Sequence, residues 1–117
     1  MRFYPLKTEA PDPSALAADY KAGREIGVIR LGERALFFRR LTKTYYIAYE
    51  EIARCFRRVM VVPTKCCCGR GSLQVENLVV CDGERELAVI QLPGTRAAEA
   101  LMADLARLAP HAKRSKD

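Results

Sequence analysis

The sequence predicts an α+β protein, mainly β, built on a strongly bent antiparallel sheet or small barrel of six to seven strands. Apolar and polar side chains alternate along successive short segments between residues 25 and 92, and turn residues separate the segments. In the segment that precedes Pro110 the apolar residues recur with the period of an amphipathic helix. Strands that directly follow one another favour an antiparallel sheet, and one helix covers such a sheet best if it is bent.

Residues 1–24 are predicted to form an N-terminal arm and a short helix. Asp12 is a favourable N-cap, Pro13 is a favourable first helical residue, and Gly23 ends the helical pattern. Apolar side chains in the arm indicate that it lies against the rest of the protein.

A single domain is predicted over residues 25–109, and it begins with the strands. The predicted strand segments are EIGVIRL (25–31), RALFFRR (34–40), KTYYIAY (43–49), ARCFRRVMVV (53–62, ending at Pro63), SLQVENLVVC (72–81) and ELAVIQL (86–92). Asp82-Gly83 is the strongest hairpin signal, and Gly32-Glu33 predicts a second tight turn.

The closing helix is predicted from the segment GTRAAEALMADLARLAP, which places its apolar side chains on one stripe. That stripe consists of Ala98, Leu101, Met102, Leu105 and Leu108. Residues 110–117 are basic, polar and terminal, which predicts a frayed tail.

The net charge of +6 is concentrated in the middle of the chain. Residues 21–70 hold twelve Lys or Arg and four Glu, a balance of +8, so the two flanks together carry −2. No apolar run approaches the roughly 18 residues of a membrane span, and the N-terminus has no signal-peptide pattern. A cytoplasmic protein is therefore predicted. No zinc-finger, helix-turn-helix or RNA-binding signature occurs, so nucleic acid is not a predicted partner.

The segment YYIAYEEIARC resembles the part of pleckstrin-homology-like (PH-like) domains where the third strand runs through a short turn into the fourth. The aromatic, acidic and isoleucine residues Tyr49, Glu50, Glu51 and Ile52 carry the likeness. The predicted order of strands and helix also makes the chain similar to the bacterial and GRAM-like branches of that family. The resemblance implies a bent barrel closed by a C-terminal helix and a non-enzymatic binding module. Lipid-binding members carry several Lys and Arg in a long loop between the first two strands, whereas the predicted loop here is Gly32-Glu33.

A binding surface is predicted where basic residues are densest. Its candidate residues are Arg39, Arg40, Lys43, Arg57 and Arg58. Strands could place some of them on one side of the barrel, where they would bind an acidic protein or peptide. An exposed sheet edge is the other predicted protein-binding surface, and it would also permit a homodimer. A weaker alternative is association of the basic segment with an anionic membrane surface.

The consecutive cysteines Cys66, Cys67 and Cys68 are most simply interpreted as part of the sheet, since reduced cysteine behaves as a small apolar residue. The alternative is a metal or redox site that they form together with Cys81. Three adjacent cysteines lack the spaced pairs of a structural zinc site, and the single histidine is His111. No cofactor and no set of catalytic residues is predicted.

Overall fold

The computed structural model describes residues 2–66, 69–83 and 85–114. Within them lie eight strands, two α-helices and one short 3-10 helix. In chain order the elements are β1 (Phe3–Pro5), α1 (Pro13–Ala22), β2 (Arg24–Ile26), β3 (Ile29–Leu31), β4 (Ala35–Arg40), β5 (Lys43–Ala48), the 3-10 helix (Tyr49–Glu51), β6 (Arg54–Cys66), β7 (Gly69–Asp82), β8 (Arg85–Gln91) and α2 (Thr95–Leu108).

Sheet A contains five strands in the order β1-β5-β4-β3-β2. β1 is parallel to β5, and the other neighbours are antiparallel. The prediction of one strand over EIGVIRL is wrong, because the chain turns back at Gly27 and divides the segment into β2 and β3. Gly27 has a φ of 60°, which glycine adopts without strain. A Cβ atom there would lie 2.8 Å from Cδ of Pro93, so this turn packs closely on the segment before α2.

Sheet B contains β6, β7 and β8 in antiparallel order and is dominated by the long β6–β7 hairpin. The strand predicted over residues 53–62 corresponds to β6. The prediction that it ends at Pro63 is wrong, since β6 continues to Cys66. Cys66 therefore lies in the sheet, whereas Cys67 and Cys68 are outside the described residues. The predicted turn between β7 and β8 is confirmed, and Gly83 there has a φ of 65°.

The main core lies between the two sheets and is closed by α2. The chain is mainly β, as predicted, but its described strands form two sheets and not a closed barrel. The predicted stripe of α2 is confirmed, because Ala98, Leu101 and Leu105 are fully buried and Met102 and Leu108 pack against the core.

The opposite face of sheet A is covered by the N-terminal segment. Phe37 and Tyr46 project from this face and are packed under the arm and α1. Asp12 caps α1 by accepting a hydrogen bond of 3.0 Å from the Ser14 amide. Residues 2–23 thus contribute one strand and one covering helix to the same sheet.

Asp19 fastens α1 to the turn between β3 and β4. Its carboxylate accepts hydrogen bonds from the amides of Glu33, Arg34 and Ala35 at 2.7, 3.2 and 3.1 Å. A Cβ atom on Gly32 would lie 2.3 Å from a carboxylate oxygen of Asp19, so the turn requires glycine for this close approach.

Part of the segment after α2, within the predicted tail of residues 110–117, packs against the start of β6. Lys113 forms a bridge with Arg54 at the start of β6, and its carbonyl accepts a 2.8 Å hydrogen bond from the Cys55 amide. Ala112 is buried against the core, and this burial fixes the segment after α2.

Candidate anion-binding surface at the β4–β5 turn

The turn between β4 and β5 consists of Leu41 and Thr42, flanked by the paired residues Arg40 and Lys43. Leu41 has a φ of 57°, a left-handed conformation that is costly for a leucine. Its side chain is 93% exposed, so packing within the chain does not explain an apolar residue at this position. Unfavourable backbone conformations that persist without a packing reason are typical of functional sites.

Basic residues surround Leu41 at this end of sheet A. β1 runs parallel to β5 with Phe3 opposite Thr44, which places Arg2 beside Lys43. We call the set Arg2, Arg39, Arg40, Leu41 and Lys43 the basic turn surface. Its four cations form no ion pair with any carboxylate in the described part of the chain.

Aromatic rings lie against three of these cations, one of which is Arg40, with its guanidinium carbon 6.0 Å from the centre of the Phe38 ring. The guanidinium carbon of Arg2 lies 5.5 Å from the centre of the Tyr4 ring, and Nζ of Lys43 lies 5.1 Å from the same ring. The Tyr4 ring is 5.9 Å from that of Tyr45, which in turn stacks on Phe38 at 5.4 Å. Cation–π contacts therefore link the charges to the core of the sheet.

Arg40 is oriented differently, toward sheet B. Its Nη2 atom donates a hydrogen bond of 3.0 Å to the carbonyl oxygen of Val89 in β8. The contact joins the β4–β5 turn to the second sheet, and no acidic side chain in the described ranges forms an ion pair with this guanidinium.

Arg39 lines a small cleft that also contains Glu25. Two further shallow clefts meet at Arg39. One has a volume of about 610 Å³ and is lined by Arg2, Tyr4, Arg39, Leu41, Thr42 and Thr44. The other has a volume of about 560 Å³ and lies between β4 and the β2–β3 turn, where Val28 is 42% exposed. Neither cleft has a described acidic residue in its lining, so both are suited to anionic groups.

The opposite end of sheet A is acidic. A cleft of about 820 Å³ there lies between α1, the arm and the 3-10 helix. Its acidic lining residues are Glu9, Asp12, Asp19, Glu33, Glu50 and Glu51. In its wall the Tyr49 hydroxyl donates a 2.7 Å hydrogen bond to the Gly32 carbonyl, and burial raises the pKa of that hydroxyl. Sheet A thus has a basic end and an acidic end, a distribution that orients the protein in the field of a charged partner.

The structure brings together only three of the five predicted binding residues. Arg39, Arg40 and Lys43 share the β4–β5 turn, whereas Arg57 and Arg58 lie on sheet B and form ion pairs.

Arg57 is paired with a buried carboxylate. Its Nε atom donates a 3.1 Å hydrogen bond to Oε2 of Glu76, and its Nη2 atom contacts the other carboxylate oxygen. These hydrogen bonds lower the pKa of Glu76, which also accepts a bond from the Thr95 hydroxyl at the start of α2. Arg58 pairs with Glu86 on the other face of the sheet. Both arginines therefore have a structural role.

The cysteines in the described part of the chain are Cys55, Cys66 and Cys81. Cys55 and Cys81 are buried, and burial raises the pKa of the Cys55 thiol to about 11. Cys81 pairs with Arg54 at the base of the hairpin and Cys66 with Gly69 at its tip, so about twelve residues separate them, or roughly 40 Å. Cys66 and Cys81 are therefore too far apart to bind one metal ion, and Cys67 and Cys68 of the alternative metal or redox site lie outside the described residues. No group of three metal-ligating side chains occurs among the residues that were described.

Two members of the basic turn surface were missed from the sequence. Arg2 reaches the surface through the parallel pairing of β1 with β5, for which a short N-terminal segment gives no signal. Leu41 did have a signal, because it stands directly between basic residues in a two-residue turn. An apolar residue at the tip of a tight turn is a signal, because such turns are usually formed by glycine, proline and small polar residues.

No protein-family model matches the chain, and neither a curated protein nor a solved structure is significantly similar to it. No described helix is long and apolar enough to cross a membrane.

Proposed function

We propose that the chain is a non-enzymatic, PH-like binding module that docks on an anionic membrane surface through the basic turn surface. The observation that carries the proposal is Leu41, which projects fully from a strained turn among four cations with no described acidic partner. The same end of the sheet also exposes Val28.

The strand order supports the PH-like part of the proposal. β2, β3, β4 and β5 follow one another as antiparallel neighbours in sheet A, and β6, β7 and β8 do so in sheet B. α2 then packs into the core between the sheets. These seven successive antiparallel strands and the closing helix match the order that the sequence resemblance implies.

A lipid surface suits this set of side chains better than an acidic protein does. A protein partner would need a pocket shaped for the projecting leucine, whereas the bilayer interface accepts an apolar side chain without a preformed pocket. Each Lys or Arg near an anionic leaflet contributes about 1 kcal/mol, and burial of one leucine contributes about 1.5–3 kcal/mol. We therefore expect weak, reversible binding that salt reduces.

Cosedimentation with lipid vesicles tests the proposal. The wild-type protein is expected to sediment with vesicles of phosphatidylserine and phosphatidylcholine at low salt, and not with phosphatidylcholine alone. Replacing Arg39 and Lys43 by glutamate is expected to abolish sedimentation, because both replaced cations belong to the basic turn surface. The matched control is Arg34→Glu with Arg107→Glu, which makes the same change in net charge near the acidic cleft and is expected to bind like wild type.

Equal loss of binding in both double variants would contradict the proposal, because net charge alone would then explain the effect. Sedimentation with neutral vesicles would also contradict it. If the protein bound an acidic polypeptide such as polyglutamate but did not bind vesicles, its partner would be a protein and not a lipid surface.

A further inference from the structure

The acidic cleft between α1, the arm and the 3-10 helix has an apolar floor. Its volume is about 820 Å³. The apolar and aromatic residues of its lining that are buried or half-buried are Leu16, Ala35, Tyr46, Ala48, Tyr49 and Leu108. Concave sites of this size that are mainly apolar and carry a few polar groups are typical of small-molecule binding.

Hydrogen bonds between distant parts of the chain fix the walls of the acidic cleft. The Ala10 amide donates a hydrogen bond of 2.7 Å to the Tyr46 hydroxyl oxygen, which holds the arm on β5. The Tyr49 hydroxyl donates one of 2.7 Å to the Gly32 carbonyl. Nε2 of His111 donates one of 2.9 Å to the Tyr49 carbonyl oxygen. Because these contacts preform the cleft, a ligand would bind without much ordering of the protein.

The Tyr46 hydroxyl in this wall has an unused hydrogen. Tyr46 is 4% exposed and lines the cleft. Its oxygen accepts the hydrogen bond from Ala10, but its own hydrogen has no acceptor among the residues that the structure describes. A tyrosine hydroxyl can donate one hydrogen bond as well as accept. The wall therefore retains one donor for a polar atom of a ligand.

Carboxylates surround the apolar floor. Six acidic residues line the cleft, whereas its basic lining residues are Arg34 and His111. None of the six forms an ion pair within the described ranges. Asp12 and Asp19 accept hydrogen bonds from backbone amides. The four carboxylates without such a contact belong to Glu9, Glu33, Glu50 and Glu51. In a chain with a net charge of +6, this local excess of negative charge attracts a cation.

The arrangement of the carboxylates selects the kind of cation. Among the described residues no three Asp, Glu, His or Cys side chains are placed to hold a metal ion. A hydrated metal ion would also gain nothing from the apolar floor. We propose that the acidic cleft binds a small organic cation, an ammonium or guanidinium group on an apolar body. The body lies on the floor and the charge faces the surrounding carboxylates.

This binding site lies at the end of sheet A away from the basic turn surface. The inference therefore goes beyond the proposed function and does not depend on it. A protein that fails to dock on vesicles still binds the organic cation, and loss of cation binding leaves vesicle docking unchanged.

NMR titration with three probes of similar shape tests the inference. Tyramine, tyrosol and para-hydroxyphenylacetate share a hydroxyphenyl body and carry an ammonium, a neutral hydroxyl and a carboxylate group. Tyramine is expected to shift the amide resonances of Ala35, Ala48 and Glu51 until they saturate. It is expected to bind about tenfold more tightly than tyrosol, since several carboxylates attract its charge. The carboxylate probe is expected not to bind.

A double variant locates the charge. Replacing Glu33 and Glu50 by glutamine removes two carboxylates and keeps the side-chain shape. This variant is expected to bind tyramine about threefold to fivefold more weakly and to bind tyrosol as the wild type does. Glu25→Gln with Glu99→Gln is the matched control, because it makes the same change in net charge outside the cleft, and it is expected to bind tyramine like wild type.

Four results would overturn the inference. They are tyrosol binding as tight as that of tyramine, equal weakening in both double variants, no saturable shift at the amides of the cleft, and binding of a lysine-rich peptide without binding of tyramine. In the last case the occupant would be a polypeptide. The comparison of the three probes uses the wild-type protein, so it decides the question even if a variant loses structure.

Discussion

Replacing Phe37 by alanine is expected to destabilise the protein by about 3–5 kcal/mol, the range for removal of a fully buried aromatic ring. Phe37 is 0% exposed and stands at the centre of the cluster between sheet A and the N-terminal segment. Its ring lies 5.4 Å from that of Phe3, 5.2 Å from that of Tyr20 and 6.3 Å from that of Tyr46. The substitution therefore removes the aromatic contacts by which the arm and α1 pack on the sheet.

Urea denaturation followed by circular dichroism measures this loss. Phe3→Ala is the matched control, because Phe3 belongs to the same cluster but is only partly buried, and a smaller loss is expected. Limited proteolysis of Phe37→Ala should cut first within residues 1–24. A negligible loss of stability in both variants would show that the N-terminal segment is not an integral layer of the fold.

Replacing Leu101 by alanine is expected to cost about 2–5 kcal/mol, since the cavity would form in a core that cannot readily collapse. Leu101 is 0% exposed and lies on the stripe of α2 between Ala98 and Leu105, which are also fully buried. Small domains have a total stability of about 5–15 kcal/mol, so this loss is a large part of it.

Thermal unfolding of Leu101→Ala should show a much lower Tm than that of Met102→Ala, the neighbouring residue that is only partly buried. The pair tests whether α2 is the element that closes the core. Equal decreases in Tm for the two variants would contradict the observed orientation of the helix.

The sequence predicted the elements whose signals are local. α2 was predicted because its apolar stripe and Pro110 are within the segment itself, and the β7–β8 hairpin because Asp82-Gly83 determines its turn. β1 was not predicted as a strand, because its pairing with β5 joins residues about forty positions apart in the sequence. Pro63 did not end β6, because the missing amide hydrogen is on the free edge and no bond to β7 is lost.

The candidate site was predicted in part for similar reasons. Arg39, Arg40 and Lys43 are close in sequence around one turn, so their proximity follows from the hairpin alone. Arg57 and Arg58 are consecutive in a strand and project from opposite faces. Arg57 meets a carboxylate on the adjacent strand β7 and Arg58 meets one on β8, the strand beyond it, and the sequence does not show these pairings.

The most direct test of the membrane proposal is the fluorescence of Leu41→Trp. The chain has no tryptophan, so this variant carries a single reporter at the tip of the β4–β5 turn. Leu73→Trp is the control, with an equally apolar reporter on the exposed β6–β7 ribbon. On addition of anionic vesicles, the emission at residue 41 is expected to shift to shorter wavelength and to be quenched by brominated lipid, while that at residue 73 stays unchanged. An emission at residue 41 that is the same with and without anionic vesicles would contradict docking through the basic turn surface.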